Sequence, residues 1–156
     1  MSKSLKRVAQ NAIALGLDID IIELTVQTKT AADAAVAMKC LPDQILKSII
    51  FLGLESNCCV LFMTAGGNRV DVAKASALAG EPLGRADAAV IRLQTGFAIG
   101  GVSPIGHLSD IQKFIDPRLL EFETIWAAAG TPHSMFQIDP AVLKSATKAI
   151  SADFTQ

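Results

Sequence analysis

An excess of charge of either sign is missing from this sequence. Its 14 basic residues stand against 15 acidic ones, a net charge of −1 over 156 residues. A protein that grips duplex nucleic acid without regard to sequence carries a clear basic excess. Any nucleic-acid contact here therefore rests on a local patch, with few phosphate contacts and a mild salt dependence. Cysteine is scarce as well: Cys40, Cys58 and Cys59. An odd count with two adjacent members argues against a disulfide framework, and no C-x-x-C spacing offers a metal site. The three read as small apolar residues in a reducing compartment. The opening Met1-Ser-Lys-Ser-Leu-Lys-Arg7 lacks the apolar stretch of a secretory leader, and no run approaches the roughly 18 apolar residues of a membrane span. The expectation is a cytoplasmic chain with no membrane partner. Also lacking are a G-x-S-x-G elbow, an H-E-x-x-H helix, a Walker loop, a Rossmann fingerprint and paired carboxylates at a telling spacing.

Apolar residues, by contrast, make up 51% of the chain and charged residues 19%. That balance favours a filled core, and the length suits one domain over 1–156 that needs no metal or disulfide for stability. Helical spacing of Leu5, Val8, Ala9, Ala12 and Ile13 predicts a helix over 4–15, stopped at Gly16. The β-branched stretch 19–26 predicts a strand. Thr30 caps a helix over 31–38, with Asp33 three residues on. Pro42 and Asp43 open a short helical turn. Strands are expected at 46–54 and 58–64, paired as a hairpin, and helices at 71–78 and 85–94, ending at Gly80 and Gly96. A short strand at 97–99 leads into a Gly- and Pro-rich loop over 100–107. Strands follow at 111–115, 124–129 and 134–138. Asp139 and Pro140 then start a last helix carrying Val142, Leu143, Ala146 and Ile150. This irregular alternation, with hairpins, predicts a mixed α/β (α+β-like) fold: a central mixed sheet or partial barrel flanked by helices.

Two features carry candidate chemistry. Period two puts Lys47 on one strand face with Ile49 and Phe51, and Leu46, Ser48, Ile50 and Leu52 on the other. An ammonium in so apolar a strand finds an anion, lines a pocket, loses its proton, or snorkels at the strand end. The second feature is Gly100-Gly-Val-Ser-Pro-Ile-Gly-His107. Its glycines permit unusual backbone and let a ligand reach main-chain N–H groups, which can hold a carbonyl oxygen as it becomes an oxyanion. An ordinary tight turn is an equal reading. His107 has an intrinsic pKa suited to acid–base work near neutrality, or is a hydrogen-bonded structural residue. His133 stands in another Pro-containing turn, where function often resides. Lys3, Lys6 and Arg7, and Arg69, Lys74 and Arg85, read as solvated surface.

Taken together, the lysine and the loop resemble the YbaK / prolyl-tRNA synthetase editing-domain family. The Ala-rich helix from Thr30 to Met38 looks like the family's helix before its lysine, Lys47 matches that lysine, and Gly101-Val-Ser-Pro104-Ile-Gly106-His107 matches its loop. Asn68-Arg-Val-Asp71-Val-Ala-Lys74 and Thr95-Gly96-Phe97 are similar to its intervening segments. The resemblance implies a trans-acting aminoacyl-tRNA deacylase, of the kind that edits tRNA for proline. It would hydrolyse the ester of a mischarged tRNA without cofactor or metal, with a synthetase or elongation factor as a further partner. It implies that Lys47, Gly101 and Gly106 are catalytic, with Lys47 against the 3′ end and the loop backbone on the aminoacyl carbonyl. Thr30, Ser103, Pro104, His107 and His133 would bind substrate. Water or a group on the substrate itself would attack, since an activated ester needs positioning more than a nucleophile. The family's cysteinyl-tRNA deacylases show an acidic residue where this chain reads Gly130-Thr-Pro-His-Ser134, so cysteine specificity is not implied. A non-catalytic tRNA- or protein-binding module of the same fold is the alternative. A DNA-binding regulator is weaker, for want of a recognition helix.

Overall fold

The computed structural model describes residues 2–26 and 28–156. Helix α1 (Lys3–Ala14) starts where Ser2 accepts a hydrogen bond from the Leu5 N–H, and it buries Leu5, Val8 and Ala12. After strand β1 (Ile21–Glu23) comes α2 (Ala31–Met38), capped by the Thr30 hydroxyl at 3.1 Å from the Asp33 N–H. A 3-10 turn, Pro42–Gln44, leads into β2 (Leu46–Gly53), which pairs antiparallel with β3 (Cys59–Ala65). Next come α3 (Val72–Ala79), β4 (Leu83–Arg85) and α4 (Ala88–Thr95). The long loop then delivers β5 (Gln112–Ile115), a 3-10 turn at Pro117–Glu121, β6 (Ile125–Ala128) and β7 (Ser134–Ile138). Helix α5 (Pro140–Thr147) and β8 (Ile150–Ser151) complete the order.

The strands form two sheets. One is mixed and five-stranded, in the order β4-β2-β3-β5-β8, with β3-β5 and β5-β8 parallel. The other, β1-β7-β6, is antiparallel. An isolated parallel bridge from Ile45 to Trp126 links them. This is the mixed α/β architecture expected from the sequence. Strand β3 is buried along its whole length and divides the core. Its residues Leu61 and Met63 face a main cluster with Phe97, Ile125 and Phe136, while Val60 and Phe62 face a smaller one with Phe114 and Phe154. The period of two turns one strand into the partition between two apolar compartments.

Several expected elements are shorter, or absent, for local reasons. The 19–26 strand keeps only its middle, Ile21–Glu23, which pairs with β7. The 85–94 helix begins at Ala88, because Asp87 caps it by accepting from the Val90 N–H, and residues 83–85 instead pair with β2. No strand forms at 97–99: the Phe97 N–H is taken by the Thr95 hydroxyl at 3.1 Å, so it feeds no ladder. Ile150 lies in β8 rather than on the last helix, which ends as Lys148 turns left-handed at φ 58°.

Candidate functional site

Strand β2 has an incomplete edge. The Gly53 N–H bonds to the Cys58 oxygen on the β3 side, and the Leu54 N–H bonds to the Pro82 oxygen on the β4 side. Antiparallel pairing alternates these directions. The main-chain groups of Ser48 and Ile50 therefore face the β4 side. Strand β4, however, covers only Phe51 to Gly53. The uncovered length is a cavity of about 350 Å³, closed by Thr28 and α2 on one flank and by Ile99, Gly100 and Val102 on another. It takes wall from both faces of the strand, with Lys47 and Ile49 from one and Leu46, Ser48 and Ile50 from the other. Ligand sites run from roughly 300 Å³ upward, so the space suits a small acyl group with part of a nucleoside.

Lys47 stands in this wall opposite Thr64 of β3, and its ammonium donates to the main-chain oxygen of Asn68. Burial lowers the Lys47 pKa, Arg69 adds to that, and Asp116 and Asp43 pull it back up. The turn that carries Asn68 is held from two sides. Asp116, 2% exposed, accepts from the Ala65 N–H at 3.1 Å and from the Asn68 amide at 2.9 Å on one oxygen, and from the Arg118 N–H at 3.0 Å on the other. Asp43 accepts from the Gly67 N–H at 2.8 Å and from Arg118 Nε at 2.9 Å, and the Arg118 bond holds its carboxyl below the usual carboxylate range. None of these supporting residues was legible as part of the site. Asp116 fell in the stretch between the strands expected at 111–115 and 124–129.

The Gly-rich loop is split between two places. Gly100, in a left-handed backbone at φ 92°, and Val102 line the Lys47 cavity. Pro104, Gly106 and His107 line a second, more polar cavity of about 330 Å³ with Asn11, Lys113 and Lys148. This revises the expected roles of the two glycines. The Gly106 N–H is committed to the Asn11 side-chain oxygen at 2.9 Å, and the Gly101 N–H to the Ala98 oxygen at 3.1 Å. Neither can donate to a carbonyl in the Lys47 cavity. Of the loop residues that line the Lys47 cavity, Ile99, Gly100 and Val102 have N–H groups that donate to no acceptor among the described residues. Gly101 serves packing: a Cβ there would meet the Thr131 backbone at 2.9 Å.

Helix α1 holds the far end of the loop. Arg7 donates to the Gly106 oxygen at 2.8 Å and to the Gly96 oxygen at 2.7 Å, and its guanidinium lies over the Phe97 ring at 4.6 Å. Sequence alone put Arg7 on the solvated surface; the structure puts it under the loop. Ser103 is fully buried and accepts from the Ile105 N–H at 3.3 Å, so it shapes the loop from inside. His107 Nε2 sits 2.7 Å from the Ser103 oxygen, and burial, aided by Lys113 and Arg7, lowers its pKa to about 4. Lowered that far, the ring is neutral near pH 7 and a weaker proton acceptor there than a free imidazole. Thr30 caps α2 and also lines the Lys47 cavity. His133 lines neither cavity, and its main-chain oxygen accepts from the Leu24 N–H. Among the described residues no cluster of three His, Cys, Asp or Glu could hold a metal, and no helix is long and apolar enough to cross a membrane.

Comparison with known proteins gives this geometry a context. A protein of Bacillus subtilis (strain 168), the uncharacterized protein YwhH, is 29% identical over 140 residues, 90% of this chain and 88% of that one. A solved structure described as "a putative trans-editing enzyme for prolyl tRNA synthetase" is 38% identical with a TM-score of 0.93, covering 100% of this chain and 99% of its own. Another, hypothetical protein APE2540, is 26% identical with a TM-score of 0.88, covering 96% and 99%. The model of the aminoacyl-tRNA editing domain matches residues 25–146, a span that holds the whole Lys47 cavity. The chain belongs to the aminoacyl-tRNA editing domain family.

Proposed function

We infer that this protein is a trans-acting, cytoplasmic deacylase that hydrolyses the ester of a mischarged tRNA, with a tRNA for proline as its substrate. The observation that carries this reading is the pairing, in the lining of one cavity, of a cation on the β2 edge with loop residues Gly100 and Val102, whose N–H groups have no acceptor among the described residues. In the reaction, water adds to the ester carbonyl, the carbonyl oxygen gains charge, and the bond to the terminal ribose oxygen breaks. That oxygen takes a proton, and free amino acid and tRNA leave. The two N–H groups stabilise the oxyanion, an interaction that strengthens as charge develops. The Lys47 ammonium, held on Asn68, orients the 3′ end so that the reacting carbonyl faces the loop. No side-chain nucleophile is required, because the attacking oxygen comes from water or from the substrate.

Support for the tRNA class comes from the family itself, and for proline from a structure named for prolyl-tRNA synthetase. Delivery by a synthetase or an elongation factor would supply what a net charge of −1 does not, an acceptor stem held close at low intrinsic affinity.

The test is a single-turnover deacylation screen over tRNAs for proline and other amino acids, each mischarged with a panel of small amino acids. Turnover of at least one ester, with correctly charged prolyl-tRNA spared, is the expected result. Retention of aminoacyl-tRNA with no turnover across the panel would sink the deacylase reading and leave a binding module of the same fold.

A further inference from the structure

The second cavity, of about 330 Å³, has no part in the reaction argued above. The loop that borders the Lys47 cavity at Gly100 and Val102 borders this one at Pro104, Gly106 and His107. Lys113 of β5 also lines it, with a side chain only 12% exposed. Its ammonium gives one hydrogen bond, to the Ile111 oxygen at 3.0 Å, and the fully exposed Asp110 carboxylate stands 3.9 Å away. An ammonium has three donors, so one this confined is short of partners. Lys148 borders the same space, which sets two cations against one carboxylate. Asn11 spends its side-chain oxygen on the Gly106 N–H at 2.9 Å, which fixes the other end as the amide, and that amide donates to no acceptor among the described residues. His107 adds the opposite polarity. Its Nε2 lies 2.7 Å from the Ser103 main-chain oxygen, which can only accept, so Nε2 carries the proton and Nδ1 of the neutral ring is a bare acceptor. Neither Asn11 Nδ2 nor His107 Nδ1 is sealed from solvent: among the described residues the one sealed side-chain atom without a partner is Ser48 Oγ.

We propose that this cavity is a phosphate site, selective for a phosphate group that still carries a proton, as inorganic phosphate or as a phosphate monoester. The Lys113 and Lys148 ammoniums and the Asn11 amide supply donors to its bare oxygens, and His107 Nδ1 accepts from its P–OH. The bare nitrogen narrows the ligand. Sulfate, a carboxylate and a phosphodiester have no proton to give near neutral pH, so each would set an oxygen lone pair against that of Nδ1. A site with a buried acceptor rejects the analogue that lacks the matching donor. A ring that took up a proton would instead accommodate any anion. Burial, Lys113 and Arg7 oppose that by holding the ring pKa at about 4, while Asp110 offsets Lys113 only from the solvent side. The volume exceeds a phosphate ion and leaves room for the organic part of a monoester. This site is separate from the Lys47 cavity and does not rest on the deacylase reading.

The probes are inorganic phosphate, methyl phosphate, dimethyl phosphate and sulfate, each titrated into the full chain at constant ionic strength. The pH is about 6, where the last proton of a monoester is roughly half bound. The chain has two histidines, and His133 lines neither cavity, so NMR of the ring nitrogens follows His107 with His133 as an internal control. Inorganic phosphate or methyl phosphate is expected to bind at least roughly tenfold more tightly than sulfate or dimethyl phosphate, the difference one hydrogen bond makes. A tighter inorganic phosphate assigns the site to the free ion, and a tighter methyl phosphate assigns it to a phosphorylated molecule. Asn11→Asp keeps an oxygen for the Gly106 N–H and puts a carboxylate oxygen where the amide donor stood. It should weaken phosphate binding at least roughly tenfold with the loop still in place, and Lys113→Met should weaken it by as much. Sulfate bound as tightly as phosphate, no saturable shift of His107 with any probe, or phosphate binding unchanged in Asn11→Asp would overturn the proposal. None of these outcomes depends on whether the protein hydrolyses an ester.

Discussion

Asn68 couples Lys47 to Asp116. Its main-chain oxygen receives the Lys47 ammonium, and its side-chain amide donates to an Asp116 oxygen 2.9 Å away. A buried carboxylate thus sets the position of a half-buried cation through a turn, and the cation is aimed without being neutralised by a direct ion pair. This arrangement separates the residues whose loss should remove function from those whose loss should also remove structure.

Lys47→Met should fold and fail. The methionine stem keeps the apolar contacts of the lysine chain, and only the bond to Asn68 is lost, so stability should change by less than about 1 kcal/mol. Deacylation should fall by about 100-fold or more, the scale of lost positioning at a reacting centre. Single-turnover rates and a urea titration on the same preparation check both halves.

Asp116→Ala should cost both stability and rate. It strands the N–H groups of Ala65 and Arg118 and the Asn68 amide. The expected loss is about 3 kcal/mol in urea unfolding. At a temperature where the variant is still folded, the rate should drop at least roughly tenfold, because the turn that receives Lys47 is loosened.

Arg7 lies outside the Lys47 cavity, yet its loss should slow turnover. Arg7→Met removes two bonds to the loop ends, at the Gly96 and Gly106 oxygens, and the stack on Phe97. About 2 kcal/mol of stability is at stake. Arg7→Lys should not restore it, since an ammonium lacks the planar fork that reaches both carbonyls. The effect should appear in kcat more than in KM, because the loop holds the carbonyl rather than the bulk of the tRNA.

His107 should leave a signature in stability, with none in the catalytic pH profile near 6.5. Burial lowers its pKa from 6.5 to about 4, so the unfolded chain binds the proton more readily than the folded one. The stability it contributes is complete above pH 6.5 and is lost as pH falls toward 4, about 3 kcal/mol across that window. Urea unfolding at pH 7 and at pH 4.5 should show a smaller loss for His107→Gln than for the native protein.

Where local chemistry decides, residues near one another in the chain sufficed. Thr30 and Asp33 start α2, Asp139 and Pro140 start α5, and the alternation from Leu46 to Leu52 defines the two faces of β2, because caps and pleats depend on neighbours a few positions away. The lysine and the loop were legible as candidates for the same reason. Chemistry between distant segments was not. That Arg7 would reach Gly106, that Asp116 would hold Asn68, that Gly106 and His107 would face a second cavity, and that β4 would stop short of Ser48 all depend on separations of tens of residues. Sequence by itself determined which groups were available: an ammonium in an apolar strand and a glycine-rich loop. Only the tertiary structure decided which N–H groups are free and which side chains share a wall. A hydrogen bond is spent once, and its partner is chosen by packing rather than by order along the chain.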